Sequence, residues 1–504
     1  MVRLVSFDDD VEERVRFIED TPRSEIVERT VARLTAGEDP RAFVTAAALA
    51  VSRSSELPAD HHGGPVHPIA GIHAVCGMHE RLEGDDRLLP VLQCVALANK
   101  HVHLPSMGPT AMVAFDDLNW DVDADRVLAR LEKALFDHEP RLAERAVTLA
   151  CEKAAPGQII ESMLTQSLKR NTLDDHYFLY SSYACRALDA IGWQYGPILL
   201  RPAVRYLARH HSFSAFGEFT QDSIDEGIAL YHRFPELEAM IDSYELTEDR
   251  LDLKTGPGET DAIAALADEI GVVDEIQSLP ETIARAMGRG LSLEGTLEAM
   301  SIGGARVFLR SHTNNPFDVH IHTGTSIRRY LLGFPEISFR HKVLALLGWP
   351  WTYEVRYLDH TLSWSWQSDA GELSTKSEEA LLGEIEEGIL SIDGFDVTKL
   401  EVGINELVAP DEVRHVVRLA ESYIKAGHDA DALFRLTSRL VCREDASEMH
   451  GYKLQQAAYE QYHACREPLR WVHAVAAVKQ AAVNAPTKPH QFYPRIAAEL
   501  KLAA

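Results

Sequence analysis

Histidine is the residue type with the most chemistry to offer in this chain. There are 23, many of them clustered: His61, His62, His67, His73 and His79; His101 and His103; His210 and His211; His312, His320 and His322. An imidazole can hold a metal ion through one ring nitrogen while the other donates to a nearby acceptor. Only six cysteines accompany them (Cys76, Cys94, Cys151, Cys185, Cys442 and Cys465), with no C-x-x-C pair. That balance favours a nitrogen- and oxygen-ligated metal over a zinc–thiolate site. The competing interpretation is a surface carrying incidental histidines.

An internal repeat separates a few histidines from the rest. Shifted by 253 positions, residues 36–71 lie over 289–324 without a gap, with identities at Gly37/Gly290, Ala46/Ala299, Arg53/Arg306, Val66/Val319, His67/His320 and Gly71/Gly324. Each copy reads as a helix, a polar linker and a V-H-x-x-x-G start to a second helix. A weaker pair, DDHYFLYSSYACRALDAIG at 174–192 and EMHGYKLQQAAYEQYHACRE at 448–467, aligns His176 with His450. The order is the same in both halves. A helical duplication about a pseudo-two-fold axis would bring His67, His176, His320 and His450 together at the interface, as helical bundles do when they build metal sites.

His450 and Lys453 form H-x-x-K, three apart on one helix face. A buried lysine can take up CO₂ and present an anionic carbamate oxygen; otherwise Lys453 is a salt-bridge partner, for instance to Glu448. His73, His62 and His322 are candidates for proton transfer or for supporting the ligands. E-x-x-H, which a diiron bundle requires, occurs at Glu412/His415 and Glu460/His463, but both lie in the second half, neither follows the repeat, and they read as ordinary helix-surface pairs. H-E-x-x-H, a complete G-x-G-x-x-G, G-x-x-x-x-G-K-[ST] and G-x-S-x-G are absent.

The elements that must position these residues are helices. SEIVERTVARLTAG, ADRVLARLEKALF, DAIAALADEIGVVDEI, SLEGTLEAMSIGGARVFL and PDEVRHVVRLAESYIKAG place apolar residues at i, i+3, i+4 and i+7. Strand-like alternation is confined to YEVRY at 353–357 and the 393–402 region, and 255–258 is a breaker. The expected fold is all-α, a duplicated helical domain with a metal site between its halves: 1–210, a connecting segment 211–283, and 284–504.

The formal net charge of −27 disfavours nucleic acid and anionic membrane surfaces as partners. The N-terminus has no apolar h-region, and no run approaches the roughly 18–20 apolar residues of a membrane span. With scattered cysteines, this points to a soluble cytoplasmic protein. No signal of oligomeric state is visible.

At four motifs the chain resembles the questin oxidase-like family: HHGGPVHPIAGIHAV (61–75), DDHYFLYSSYACRAL (174–188), VHIHTGTSIRRYLL (319–332) and MHGYKLQQAAYE (449–460). The resemblance implies oxygenation or oxidative cleavage of C–C bonds in aromatic polyketides such as anthraquinones. One branch looks like a non-heme iron dioxygenase with four histidines and a carboxylated lysine on the metal. Carried over, the ligands are His67, His176, His320 and His450, with Lys453 bearing the carbamate. The chain is longer than the resemblance leads one to expect and its spacing within 61–73 differs, which keeps His62 and His73 as alternates to His67.

The leading expectation is therefore an Fe(II)-dependent oxygenase taking O₂ and a small aromatic substrate, with His73 or His62 shuttling protons. Mn, Co or Zn would also suit the ligands, and NADPH is considered as an external reductant. A metal-dependent hydrolase and a non-catalytic helical scaffold are the alternatives.

Overall fold

The computed structural model describes residues 3–54, 66–104, 112–115, 118, 121–171, 176–208, 230–273, 278–349 and 375–502. Within them the fold is all-helical: twenty-two α-helices and isolated β-bridges, with no strand among the described residues. The helices expected from periodicity form, at Ile26–Thr35, Ala124–Phe136, Thr260–Gly271, Leu293–Arg310 and Asp411–Lys425. Local chemistry sets their ends. Asp123 and Ser292 accept the amides of Arg126 and Gly295 as N-caps. Gly37 and Gly290, at equivalent repeat positions, both turn left-handed, at φ 97° and 99°.

The 393–402 region is not a strand; only Asp396 pairs, in a single bridge to Lys488. A stretch with a single bridged neighbour cannot propagate a ladder. YEVRY at 353–357 lies outside the described residues. The boundary expected at 283/284 falls inside the helix Leu279–Gly288, so no division occurs there. The ungapped sequence match begins only at 289, ten residues after that helix starts.

Helix positions recur along the chain. Leu279–Gly288 begins and ends 253 residues after Ile26–Thr35, and Leu293–Arg310 begins 253 after Pro40–Ser54. Farther on, His450–Ala464 follows His176–Ile191 by 274, and Ala430–Val441 follows Pro156–Lys169 by the same interval. Packing repeats too: Val66–Arg81 rests on His176–Ile191, and His320–Leu332 rests on His450–Ala464. Across the halves, Val66–Arg81 packs on His450–Ala464 and His176–Ile191 on His320–Leu332. Those four helices thus close a cycle inside one continuous apolar core. No helix among the described residues is long and apolar enough to cross a membrane.

Candidate metal centre

Each helix of the cycle begins at a histidine, or one residue before it: Val66–Arg81 carries His67 at its second position, and the other three start at His176, His320 and His450. The turn before His320 is held by buried Asp318, which accepts from Thr313 Oγ1 at 2.5 Å and Asn315 Nδ2 at 3.2 Å.

The turn before His450 is more constrained. Glu448 and Met449 both adopt left-handed backbone, φ 52° and 67°, a conformation costing about 1–3 kcal/mol per non-glycine residue. Fixed contacts hold it. Ser447 donates its amide to Glu444, and its Oγ donates to Glu444 Oε2 at 2.7 Å; Asn484 Nδ2 donates to Ser447 Oγ at 3.2 Å. Met449 packs where a Cβ on Gly71 would stand, so that position admits only glycine without a shift.

The four imidazoles form a closed ring. Centroids are 5.1 Å apart for His67–His176, 5.2 Å for His176–His320, 5.5 Å for His320–His450 and 5.1 Å for His450–His67. All four residues are at most 5% exposed. One ligand atom from each of His67, His176 and His450 lies within 4.8 Å of the others. Two nitrogens on one ion at 2.0–2.1 Å can be at most about 4.2 Å apart. Three nitrogens spread evenly round one ion are closer still, about 3.6 Å apart, so each side chain would move by up to about 0.7 Å to close the set on one ion. A small rotation of each imidazole supplies that, and the residues fit a metal.

The supporting contacts fix orientation. His450 Nδ1 lies 2.5 Å from the Ser447 carbonyl, so Nδ1 carries the proton and donates, leaving Nε2 with its lone pair. That Nε2 makes no hydrogen bond among the described residues. His67 Nε2 is 2.9 Å from the Tyr180 hydroxyl, and its Nδ1 is 3.4 Å from Glu448 Oε2. Tyr180 also stacks on His176, with centroids 4.5 Å apart. The other Glu448 oxygen is 3.5 Å from Nε2 of buried His101, so this carboxylate lies between two histidines.

Burial drives the His450 pKa well below the usual histidine value, with Lys453, His320 and His176 adding to the shift. A neutral imidazole is the state that binds a metal. Lys453 is itself buried, one helical turn beyond His450.

A second polar layer lies farther along the same helices, with the His73 and Glu460 side chains 24% and 25% exposed. Arg186 Nη2 donates to Glu460 Oε1 at 2.7 Å and Arg186 Nη1 to Ser326 Oγ at 3.0 Å; Ser326 Oγ donates to Glu460 Oε2 at 2.9 Å. His73 Nε2 sits 2.6 Å from Glu460 Oε1. Arg186 and Glu460 each follow a ring histidine by ten residues, and His73 and Ser326 each follow one by six. The four helices therefore run parallel, with their N-terminal ends gathered at the ring.

The structure brings His67, His176, His320 and His450 together and puts Lys453 beside them. It does not bring His73 into the ring: six residues along a helix is about 9 Å. His62 lies outside the described residues. His322 points away, against Phe308, and burial beside Lys479 lowers its pKa to about 3. Glu460, expected on the surface with His463, instead turns inward, while His463 pairs with Asp431 at 2.9 Å. Residues three apart can diverge enough for one to face the core, and a helix of alternating polar and apolar residues does not reveal which. Ser447 and Glu444 carried no sequence signal, and Tyr180 was visible only as one aromatic of the YFLYSSYACRAL stretch that follows His176. Glu448 had entered only as a partner for Lys453.

No family model, curated protein or solved structure matches this chain.

Proposed function

We propose that the four-histidine ring holds one iron(II) ion and that the protein is a non-heme iron oxygenase. It would act on a small aromatic, polyketide-like substrate, inserting oxygen into a C–C bond or cleaving it. The observation that carries this reading is the closed ring of four buried imidazoles, each delivered by the start of a different helix. We also propose that the two halves arose by duplication, which the recurring helix intervals support.

Iron bound there would supply the activation of O₂ that no protein side chain provides. The chain's own groups do the rest. Ser447 keeps the Nδ1 proton of His450 away from the ring, and burial keeps that imidazole neutral. The left-handed turn at Glu448 and Met449 fixes where the helix, and hence His450, begins. Lys453, as its CO₂ adduct, is proposed to give one anionic oxygen from the same helix face. Mn, Co and Zn suit the same donors; the choice of iron rests on the family resemblance.

The test is anaerobic loading with Fe(II), then oxygen uptake in the presence of hydroxylated anthraquinones. Uptake that depends on both substrate and loaded protein, above a free-iron control, is expected. Stoichiometric iron with no uptake across such substrates would overturn the oxygenase reading, and zinc-supported hydrolysis would replace it.

A further inference from the structure

Tyr180 lies one helical turn after His176, so the two side chains share a face of the helix His176–Ile191. Their rings are stacked, with centroids 4.5 Å apart and planes 15° from parallel. The same phenol reaches the neighbouring imidazole. Its hydroxyl is 2.9 Å from His67 Nε2, and the two rings meet edge to face. Tyr206 packs edge-on against Tyr180 at 5.0 Å, and both tyrosines are buried. One side chain thus touches two of the ring histidines at once.

The direction of that hydrogen bond follows from the other side of His67. Its Nδ1 faces the Glu448 carboxylate at 3.4 Å, which places the ring proton on Nδ1. Nε2 then holds the lone pair, and the Tyr180 O–H donates to it. His450 has the same tautomer, with Nδ1 donating to Ser447. The lone pair that Tyr180 takes on His67 is therefore the one a metal ion would need. An ion on an imidazole sits about 2.0–2.1 Å from nitrogen along the lone pair, and one lone pair cannot serve both it and the hydroxyl.

From this geometry we infer that Tyr180 competes with the metal ion for His67, and that it holds the metal affinity below what the histidines alone would give. The inference rests on the metal reading above and adds a positioning residue that lowers affinity rather than raising it. The small rotation that closes the imidazoles on an ion carries His67 Nε2 off the hydroxyl. No proton leaves the site in the exchange, because Nδ1 and the phenol each keep their own. The cost to metal binding is one hydrogen bond between neutral groups.

The experiment measures Co(II) affinity by calorimetry for the full chain and for its Tyr180→Phe and Tyr206→Phe variants. Tyr180→Phe keeps the ring that stacks on His176 and deletes only the hydroxyl. It should bind Co(II) about two- to tenfold more tightly than the parent protein. Tyr206→Phe, one ring farther from His67, should stay within about twofold. Equal tightening by both variants, or a Tyr180→Phe affinity no tighter than the parent's, overturns the competition and leaves the metal reading standing. Absence of Co(II) binding in all three proteins overturns both. The parent protein alone supplies a second readout that does not depend on how the variants fold. Zn(II), which has no absorption of its own there, should move the near-ultraviolet tyrosine band to shorter wavelength as one phenol loses its acceptor. An unmoved band at stoichiometric Zn(II) occupancy overturns the inference.

Discussion

His450 donates its Nδ1 proton to the carbonyl of Ser447, three residues earlier, at 2.5 Å. The bond joins a ring histidine to a turn that is itself pinned by buried Glu444 and Asn484. Orientation of the imidazole therefore depends on residues that never touch the ring. In known metal sites, loss of such an outer partner typically weakens metal binding 10- to 100-fold.

Glu444→Gln should accordingly weaken Co(II) binding by about tenfold while helical content by circular dichroism stays unchanged. Glu444 is fully enclosed and its pKa is pushed up to about 7 by burial, so the amide is a close stand-in for its protonated form. An affinity within twofold of the parent protein would show that the turn holds itself.

The second polar layer makes a prediction about stability. Glu460 is held well below the usual carboxylate range by Arg186 and His73, against the opposing effect of its own burial. Arg186→Met leaves that partly exposed carboxylate without its guanidinium and should cost about 2 kcal/mol in urea denaturation. The double variant Arg186→Met/Glu460→Met removes both charges and should recover most of the loss. Equal destabilisation by the single and double variants would mean that packing volume, not the ion pair, sets the cost.

Much of this arrangement was legible in the sequence, and the parts that were not share a cause. His67 and His320 carry matching V-H-x-x-x-G contexts, so the repeat exposed them, and His176 and His450 followed from chain order. Arg186 and Glu460 sit at equivalent positions of the same weak repeat, 274 residues apart, yet opposite charges look like a mismatch in an alignment. Their complementarity is visible only once the two helices face each other across the bundle. Ser447 meets His450 through its backbone carbonyl and the turn's supports through its hydroxyl, and neither contact leaves a pattern in the sequence. The helices themselves were readable because amphipathic periodicity is local; the 393–402 region misled because short alternation says nothing about whether a partner strand exists.

Acid should destabilise the protein through buried histidines outside the ring. His473 is fully buried, and burial, with lesser contributions from His322 and Arg329, holds its pKa well below the ordinary 6.5. Between its folded and unfolded pKa values the unfolded chain binds one more proton there. The stabilisation is complete above 6.5 and is lost as pH falls below it, at about 1.4 kcal/mol per pH unit. Glu444, with its pKa raised to about 7, works in the opposite sense but is common to parent and variant. His473→Leu should therefore flatten the pH dependence of unfolding free energy between pH 4.5 and 6 by close to one proton. Parallel curves for the two proteins would contradict this.

The central claim is a single metal shared by four histidines from both halves of the chain. The direct test is metal content by plasma mass spectrometry on untagged protein purified anaerobically with iron supplied, beside His450→Ala and His320→Ala, with circular dichroism confirming that both variants fold. The account predicts about one iron per chain in the parent protein and loss of it in both variants. Iron retained in either folded variant, or no stoichiometric metal in the parent protein, would contradict it.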